Sequence, residues 1–427
     1  MNTTKIFAWF ATAALMIAGG LMIVSLGNRQ AEPQAEESTA TLEPLPDLSK
    51  AEVNALVKRL GLPESKQTVQ ELVPGWAMPK MMLVFIDRPD RIAWLQKAAP
   101  GVELIGLYQK GTVAQREAEA LPYAPDADAF INVFPNVLCN AKVIRAAKKL
   151  KWLHSYGAGV ADCIAVSPEI ASGEFLFTNS QKLRGRWVAE NIFAMMVSLA
   201  RGVDLQARMN ITHGRDWMND GKLMLPDVGH RGILLEGRTL LVVGLGGIGT
   251  ELAKMAHGIG MKVIATRNSS RNGPDYVDYV GLSDELSELI GRADVVAMTA
   301  PLTPETEGMF NAAMFHRMKK GALFVSVSRE DVVVKQDLIE ALESGQVGAA
   351  GMNANSGMPG ERPPLAPDDP QWSAPNMLYI THSAAPARPA EGFMSDSELS
   401  WEIAREQVRR YVAGEKMLSV VDVERGY

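Results

Sequence analysis

Residues 239–254 read Thr-Leu-Leu-Val-Val-Gly-Leu-Gly-Gly-Ile-Gly-Thr-Glu-Leu-Ala-Lys, and this stretch decides the fold of the 427-residue chain. Residues 240–243 are apolar and predict a strand, and a helical pattern follows the glycines. Gly244 would permit a tight turn, Gly246 would let the backbone approach a pyrophosphate, and Gly249 would let the helix pack closely on the strand. The pyrophosphate would bind the N–H groups of the first helical turn. The predicted cofactor-binding residues of this loop are Gly244, Gly246, Gly247, Ile248 and Gly249.

The end of the next predicted strand, residues 262–266, indicates which dinucleotide binds. Sites for NAD usually place an Asp or Glu there, where it binds the ribose hydroxyls. This chain has Arg267 instead. A guanidinium pairs with the additional phosphate of NADP, which a carboxylate would repel. We therefore predict NADP(H) rather than NAD(H), the alternative being that Arg267 is a solvated loop residue. The residues predicted to bind this end of the cofactor are Arg267, Asn268, Ser269 and Arg271.

The composition is that of an ordinary globular protein, with 22% charged and 47% hydrophobic residues. The formal net charge of −6 gives no reason to expect a nucleic acid as partner. The two cysteines, Cys139 and Cys163, do not have the spacing of metal ligands, so no metal site is predicted. They would pair only if the fold happened to bring them together.

The N-terminus departs from this ordinary composition. Residues 6–26 are uncharged and largely apolar, about the ~20 residues that a helix needs to cross a bilayer. We therefore expect residues 1–30 to be a single membrane-anchoring helix, with a cleaved signal segment as the alternative. The charges around it favour an extracytoplasmic (periplasmic) main body, whereas a need for NADP(H) favours the cytoplasm. The expected localisation is therefore a membrane anchor whose side stays open.

Strand and helix patterns alternate after this segment. Residues 82–86, 129–133 and 152–155 predict strands, and residues 188–201 predict a long helix that leads to the glycine-rich stretch. Such alternation predicts parallel sheets covered on both faces. The predicted fold class is therefore α/β, with two Rossmann-like doubly wound domains after the N-terminal helix. The predicted organisation is a membrane anchor at 1–30, a tether with a short helix at 31–75, a substrate domain at 76–205 with 383–427, and an NADP-binding domain at 206–382.

Four more segments make residues 80–427 similar to the D-isomer-specific 2-hydroxyacid dehydrogenases. Residues 155–160 (Ser-Tyr-Gly-Ala-Gly-Val) resemble that family's substrate loop, whose backbone amides bind the substrate carboxylate. Residues 301–306 resemble a loop of its nucleotide domain, residues 325–329 the segment with its catalytic arginine, and residues 379–383 the segment with its catalytic histidine. The resemblance implies substrate binding by Tyr156, Gly157, Ala158 and Gly159, and cofactor contacts from Pro301, Thr306, Ser328 and Asn353.

The same resemblance implies that Arg329 and His382 are the catalytic residues. Reduction of a 2-oxo acid needs a cation that holds the carboxylate and polarises the carbonyl, and the fork of donors on Arg329 can do both. Hydride transfer to the carbonyl carbon leaves an alkoxide that needs a proton. His382 can supply this proton near neutral pH. Because members of the family are commonly homodimers, a homodimer is implied as well.

Three positions depart from the family's pattern. The family has a glutamate that pairs with its catalytic histidine, and Met358 stands at that position here. Asn353 likewise replaces an aspartate, and Glu361 nearby could substitute for the missing carboxylate. Glu330 replaces a glycine after the catalytic arginine, where it could orient Arg329 or partly neutralise it.

The predicted function is an NADP(H)-dependent 2-hydroxyacid dehydrogenase that reduces a small 2-oxo acid, with activity impaired or shifted by Met358. The alternative is a protein that binds NADP(H) at a membrane without catalysis, as a sensor or scaffold. The sequence does not specify the oxo acid, because the loops that would read its side chain cannot be built from sequence alone.

Overall fold

The computed structural model describes residues 45–108, 111–133, 138–213, 232–268, 270–354, 366, 368–381 and 394–426, and Leu45–Tyr427 forms one compact unit. The strands are β1 (Glu64–Thr68), β2 (Met81–Ile86), β3 (Glu103–Tyr108), β4 (Ala129–Val133), β5 (Trp152–Ser155), β6 (Leu176–Thr178), β7 (Thr239–Val243), β8 (Lys262–Arg267), β9 (Tyr279–Leu282), β10 (Val295–Met298), β11 (Ala322–Ser326), β12 (Val347–Ala354), β13 (Met377–Thr381) and β14 (Lys416–Leu418). The helices are α1 (Lys50–Leu60), α2 (Val69–Leu72), α3 (Asp90–Gln96), α4 (Val113–Ala120), α5 (Ala141–Ala146), α6 (Ala161–Val166), α7 (Pro168–Ala171), α8 (Gly185–Arg201), α9 (Val203–His213), α10 (Gly247–Gly258), α11 (Leu286–Leu289), α12 (Ala312–Arg317), α13 (Lys335–Glu343) and α14 (Asp396–Ala413).

The glycine-rich stretch lies in a seven-stranded parallel sheet with the order β13-β12-β11-β10-β7-β8-β9. Both faces of this sheet are buried. In β7, Leu241 and Val243 pack into one apolar cluster, whereas Leu240 and Val242 pack into another. Two-sided burial is typical of parallel sheets, because the helices that connect the strands cover both faces. The predicted α/β class with Rossmann-like parallel sheets is confirmed.

The preceding strands form a separate five-stranded parallel sheet with the order β3-β2-β4-β5-β6. Leu83 and Phe85 of β2 face one apolar cluster, and Met82 and Val84 face another. α14 packs Trp401 into the second of these clusters, so the end of the chain returns to the first sheet. The boundaries of the predicted domains stay a prediction.

The N-terminal part of the compact unit begins with a well-capped helix. Ser49 Oγ accepts a hydrogen bond from the Glu52 N–H at 3.3 Å, and the Glu52 carboxylate accepts one from the Ser49 N–H at 2.8 Å. This reciprocal capping box is the one that the sequence predicts, since a Ser is followed three residues later by a Glu. After α1, the short strand β1 pairs antiparallel with β14.

The described end of the predicted tether is attached to the protein surface. The Trp94 indole N–H donates to the Pro46 carbonyl at 2.6 Å, and Asp47 forms ion pairs at 3.0 Å with both Lys97 and Arg405. Side chains distant in the sequence therefore hold Pro46 and Asp47 against the rest of the protein, and the tether at 31–75 stays a prediction. The earlier tether residues lie outside the described residues.

The prediction of a transmembrane helix, and with it a membrane-anchored localisation, is corrected by the structure. Over the described ranges, no helix combines the length and the apolar character needed to cross a bilayer. The two longest helices, α8 and α14, have 17 and 18 residues, and charged side chains recur along all of α14. The segment for which the helix was predicted, residues 6–26, lies outside the described residues.

Candidate active site

The glycine loop after β7 has the geometry of a dinucleotide cradle. Gly244 has a φ of +99°, and a Cβ there would lie 2.7 Å from the backbone N of Ala300. A Cβ on Gly249 would lie 2.4 Å from the carbonyl O of Gly244, so α10 packs against the loop with no room for a side chain. Around Gly246, in contrast, no atom lies within 4 Å of such a Cβ. The loop is therefore closed on its protein side and open beside the N-terminus of α10.

The first turn of α10 adds hydrogen-bond donors to this open side. α10 begins at Gly247, with Gly246 as its N-cap, so the N–H groups of Gly247 and Ile248 have no acceptor within the helix. Donors at a helix N-terminus suit an anion such as a pyrophosphate. The open space and these donors together fit a dinucleotide, and the chain's own residues that would hold it are those of the glycine loop.

The end of β8 carries the residues predicted to choose between NAD and NADP. Arg267 donates from Nη1 to the Asn272 carbonyl at 2.9 Å and is partly buried. Arg271 instead forms a 2.7 Å ion pair with Glu285. Asn268 is exposed and its side-chain oxygen accepts a hydrogen bond from Ser283 at 3.3 Å. Ser269 lies outside the described residues. Among the described residues, no carboxylate pairs with Arg267.

The loop after β10 lies beside the glycine loop. Pro301 follows Ala300, the residue that touches Gly244. Thr306 Oγ1 donates to the Pro301 carbonyl at 2.8 Å, and Ser328 Oγ donates to the Ala300 carbonyl at 2.6 Å. The structure therefore brings together the predicted cofactor residues of this loop and of the segment after β11.

The predicted substrate loop follows β5 and is held through its carbonyl groups. Asn179 Nδ2 donates to the Ala158 carbonyl at 2.8 Å, and the Ser180 N–H donates to the Gly157 carbonyl at 3.2 Å. Ser180 Oγ also donates to the Ser155 carbonyl at 3.1 Å. Among the hydrogen bonds of the described residues, none uses the N–H groups of Ala158 and Gly159. These amides remain available to a substrate carboxylate.

Arg329 lies directly against this loop. A Cβ on Gly159 would be 3.2 Å from Arg329 Nη2, so the guanidinium covers the glycine. Arg329 follows β11 and is the N-cap residue of the 3-10 helix Glu330–Val332. It therefore lies at the carboxyl edge of the seven-stranded sheet. Asp162, on α6, approaches the same Nη2 at 4.0 Å. The predicted catalytic arginine and the predicted substrate loop are therefore neighbours, although they come from different sheets.

The residues predicted around the catalytic histidine are described only in part. Asn353 is buried in β12 and pairs in register with Ile380 of β13, which ends at Thr381. His382, Met358 and Glu361 lie outside the described residues. β13 and β11 are parallel strands of one sheet, so the residues that follow them leave the same edge of it.

Side chains distant in the sequence position the substrate loop, and sequence reasoning missed them. The Arg184 guanidinium lies over the Tyr156 ring, 4.8 Å from its centroid, and pairs with Asp396 at 3.1 Å. The Tyr156 hydroxyl donates to Ser397 Oγ at 3.1 Å. Asp396 and Ser397 begin α14, more than two hundred residues after Tyr156. No local pattern signals such contacts.

The fold brings the two cysteines together, and they are joined by a disulfide. Cys139 and Cys163 have Cα atoms 5.3 Å apart, and both are buried. Cys139 follows β4 and Cys163 lies in α6, just after β5 and the substrate loop. Because β4 and β5 are adjacent parallel strands, their carboxyl ends meet. That adjacency is the signal that could have predicted the bond.

Comparison with known proteins gives a consistent result. The family profile described as "D-isomer specific 2-hydroxyacid dehydrogenase, NAD binding domain" matches residues 193–384. A glyoxylate reductase of Korarchaeum cryptofilum is 29% identical over 64% of this chain and 77% of its own length. A D-3-phosphoglycerate dehydrogenase of Methanocaldococcus jannaschii is 30% identical over 75% of this chain, but the match spans only 56% of that protein.

A solved structure shows the same fold. The NADPH-dependent glyoxylate/hydroxypyruvate reductase of Sinorhizobium meliloti, determined with NADP and sulfate, superposes with a TM-score of 0.60 at 23% identity. The superposition covers 82% of this chain and 100% of the other. At this identity the likeness concerns the fold alone.

Proposed function

Because the chain belongs to the D-isomer-specific 2-hydroxyacid dehydrogenase family, we propose that it reduces a small 2-oxo acid to a 2-hydroxy acid with NADP(H). The observation that carries this proposal is the Arg329 guanidinium lying against Gly159 of the substrate loop. A cation and two backbone amides that no described residue uses as donors lie together there, and they suit a small carboxylate. The relatives act on such acids by name, which makes glyoxylate and hydroxypyruvate the first substrates to test.

The residues of the proposed site would bind the substrate, stabilise the developing charge and supply a proton. The N–H groups of Ala158 and Gly159 would bind the substrate carboxylate, and Arg329 would bind both that carboxylate and the carbonyl oxygen. The guanidinium would then stabilise the negative charge that develops on this oxygen. His382 would donate the proton that completes the alcohol. A bound dinucleotide supplies the hydride.

The proposed preference for NADP(H) rests on Arg267. Members of the family bind NAD or NADP, and a carboxylate at the end of β8 would favour the former. Arg267 offers a partly buried cation there, with no carboxylate partner among the described residues. A guanidinium suits a phosphate at this position, because its planar fork can donate two parallel hydrogen bonds.

A second candidate is a protein that binds NADP(H) without turnover. Two observations favour it. Met358 stands where a glutamate would support the histidine, and a thioether carries no charge and accepts hydrogen bonds only weakly. In addition, Asp162 occupies space 4.0 Å from Arg329 and would compete with an anionic substrate.

The deciding experiment measures NADPH oxidation with a panel of 2-oxo acids, in parallel with NADPH binding by fluorescence. Arg329→Lys should lower kcat/KM by about 100-fold or more, because an ammonium cannot form the paired hydrogen bonds. Its NADPH dissociation constant should change little. Arg317→Ala is the matched control. It removes an exposed arginine at the end of α12, and the variant should behave as wild type.

The possible results separate the two candidates. Binding of NADPH without oxidation by any oxo acid would support the second candidate. Failure to bind either nucleotide would contradict both candidate functions.

A homodimer, which the family suggests, is a further part of the proposal. Sedimentation of the purified protein would test it.

A further inference from the structure

Lys182 has an unusual backbone conformation for a lysine. It lies in the connection between β6 and α8 with a φ of +68°, in the left-handed region that favours glycine. It also lies against the glycine loop, because a Cβ on Gly247 would be 3.0 Å from both Cα and Cγ of Lys182. Strained residues persist where the surrounding structure enforces them, and they concentrate at ligand sites.

The Lys182 side chain is partly buried. Its Nζ donates to the Gly61 carbonyl at 2.5 Å, which leaves further N–H donors of the ammonium for another partner. Burial, followed by the positive charge of Arg267, lowers the pKa of Lys182. Within the described ranges, neither Lys182 nor Arg267 forms an ion pair with a carboxylate.

Arg271, close to Arg267 in the sequence, differs from it because a carboxylate neutralises its charge. It pairs with Glu285 at 2.7 Å and donates to the Tyr279 hydroxyl at 3.1 Å. Hydrogen bonds from Tyr279 and Arg271 lower the pKa of the Glu285 carboxyl to about 2. Two cations near each other without such a carboxylate, on the other hand, form a site of net positive charge.

We propose that Lys182 and Arg267 together bind the 2′-phosphate of NADP(H), an inference that rests on the proposed function. Arg267 ends β8, where the ribose of a dinucleotide lies in sites of this type. Lys182, in the connection after β6, packs against Gly247 of the glycine loop, and the Leu245 N–H of the same loop donates to the Thr266 carbonyl of β8 at 2.8 Å. Each of the two parallel sheets thus contributes one cation to one phosphate.

A phosphate fits this pair of charges better than any neutral group does. The two cations repel each other when nothing lies between them, and a dianion replaces the repulsion with charge-assisted hydrogen bonds. NADH carries only a hydroxyl at the 2′ position, so it would leave both cations without a counter-ion. Lys182 therefore adds to the discrimination that Arg267 provides.

The test compares ligands that differ in the 2′-phosphate alone. Dissociation constants would be measured for NADPH and NADH by fluorescence, and for 2′,5′-ADP and 5′-AMP by calorimetry. The variants are Lys182→Gly, Arg267→Gln and Lys254→Ala. Glycine suits the φ of position 182, so this change removes the ammonium and relieves the strain. Lys254 is exposed on α10, and its replacement controls for the loss of one positive charge.

Lys182→Gly should weaken binding of NADPH and 2′,5′-ADP about tenfold, and leave NADH and 5′-AMP within about twofold of wild type. Arg267→Gln should act in the same direction, and Lys254→Ala should have no effect. Equal losses for NADPH and NADH in Lys182→Gly would overturn the proposal, because the ammonium would then serve the pyrophosphate or the loop. Unchanged constants in Lys182→Gly would also overturn it.

The same measurements separate this inference from the proposed function. If wild type binds neither nucleotide, the proposed function fails and the inference fails with it. If wild type prefers NADPH and Lys182→Gly keeps the whole preference, the inference alone fails. If wild type prefers NADH, both the assignment of Arg267 and the role of Lys182 are wrong.

Discussion

The glycine loop and the substrate loop both follow a parallel strand, yet they are held in place by different means. The glycine loop depends on backbone packed against backbone, as where Gly249 meets the Gly244 carbonyl and Gly244 meets Ala300. The substrate loop depends on side chains, which include Arg184 over the Tyr156 ring. A disulfide then joins the helix after this loop to Cys139, which follows β4.

This difference explains why one loop was predictable and the other was not. A backbone that permits no Cβ requires glycine at fixed spacing, so a short stretch of sequence is enough to predict the glycine loop. Side chains that position a loop can come from anywhere in the chain. If the comparison is right, the glycine loop should fail when an atom is added, and the substrate loop should fail when a side-chain link is removed.

The largest effect should come from Gly249→Ala. The new Cβ would lie 2.4 Å from the Gly244 carbonyl and 2.8 Å from a Val242 methyl group, and backbone cannot move aside as a flexible side chain can. We expect the free energy of unfolding to fall by about 4 kcal/mol or more, beyond the ~1–3 kcal/mol usual for overpacking. Urea titration of the purified variants measures this.

Gly246→Ala is the control for the same loop. No protein atom lies within 4 Å of its new Cβ, so stability should stay within about 0.5 kcal/mol of wild type. Affinity for NADPH should nevertheless fall, since the methyl group enters the open side of the loop. Equal destabilisation by the two variants would contradict the division between a closed and an open side.

The sequence predicts the strands near this loop well and the substrate side less completely. β7 and β8, the strands beside the glycine loop, differ from their predicted bounds by one residue each, because apolar runs next to glycine-rich or polar turns define them locally. β1 and β14 were missed, since the exposed pattern of Glu64–Thr68 carries no period and the pairing partner lies at the other end of the chain. Lys182 was missed for a related reason, because its φ is imposed by the tertiary structure.

The next largest effect concerns the substrate side. Reduction of the Cys139–Cys163 disulfide should lower the free energy of unfolding by about 3 kcal/mol, from the entropy of the loop closed between two cysteines 24 positions apart in the sequence. It should also raise KM for the oxo acid, because α6 follows the substrate loop directly. The NADPH dissociation constant should not change. Thermal melts and kinetics with and without a dithiol reductant measure these effects.

A variant with both cysteines replaced by alanine controls for unrelated effects of the reductant. It should have the stability of the reduced wild type and should not respond to the dithiol. Alkylation and mass spectrometry test whether the bond is present. If both thiols are free in the oxidised protein, the disulfide does not hold the substrate side and this prediction is wrong.

A third effect of similar or smaller size should come from Glu402, on α14. Burial raises the pKa of this carboxyl from 4.5 to about 7. The negative charges of Asp47 and Glu406 also raise this pKa, whereas the positive charges of Arg405 and Arg91 lower it. Folded protein therefore keeps a proton that the unfolded chain loses. Stability should fall as pH rises from about 4.5 to 7 and level off above, by on the order of 2–3 kcal/mol.

Glu402→Gln isolates this contribution. The variant should gain stability over wild type when the pH is raised from 4.5 to 8, because the amide does not ionise. Hydrogen exchange should show the gain around α14 and β5 rather than around β7. A difference between wild type and variant that is constant across this pH range would show that Glu402 does not titrate as the burial implies.

The smallest effect should come from Asp162, a carboxylate beside Arg329 and the substrate loop. The two groups are 4.0 Å apart, and their side chains are 43% and 29% exposed, so solvent screens much of the attraction between them. A substrate carboxylate must still compete with Asp162 for the guanidinium. Asp162→Asn should therefore lower KM for the oxo acid by roughly two- to fivefold, within the ~1 kcal/mol of a partly exposed pair. kcat should change less, because the asparagine keeps the shape of the side chain and contributes no charge to the reacting carbonyl. The decrease in KM should shrink at high salt, since screening already weakens the pair there. An increase in KM would instead mean that Asp162 holds Arg329 in place. The Asp162–Arg329 pair would then be a further side-chain contact that positions the substrate site.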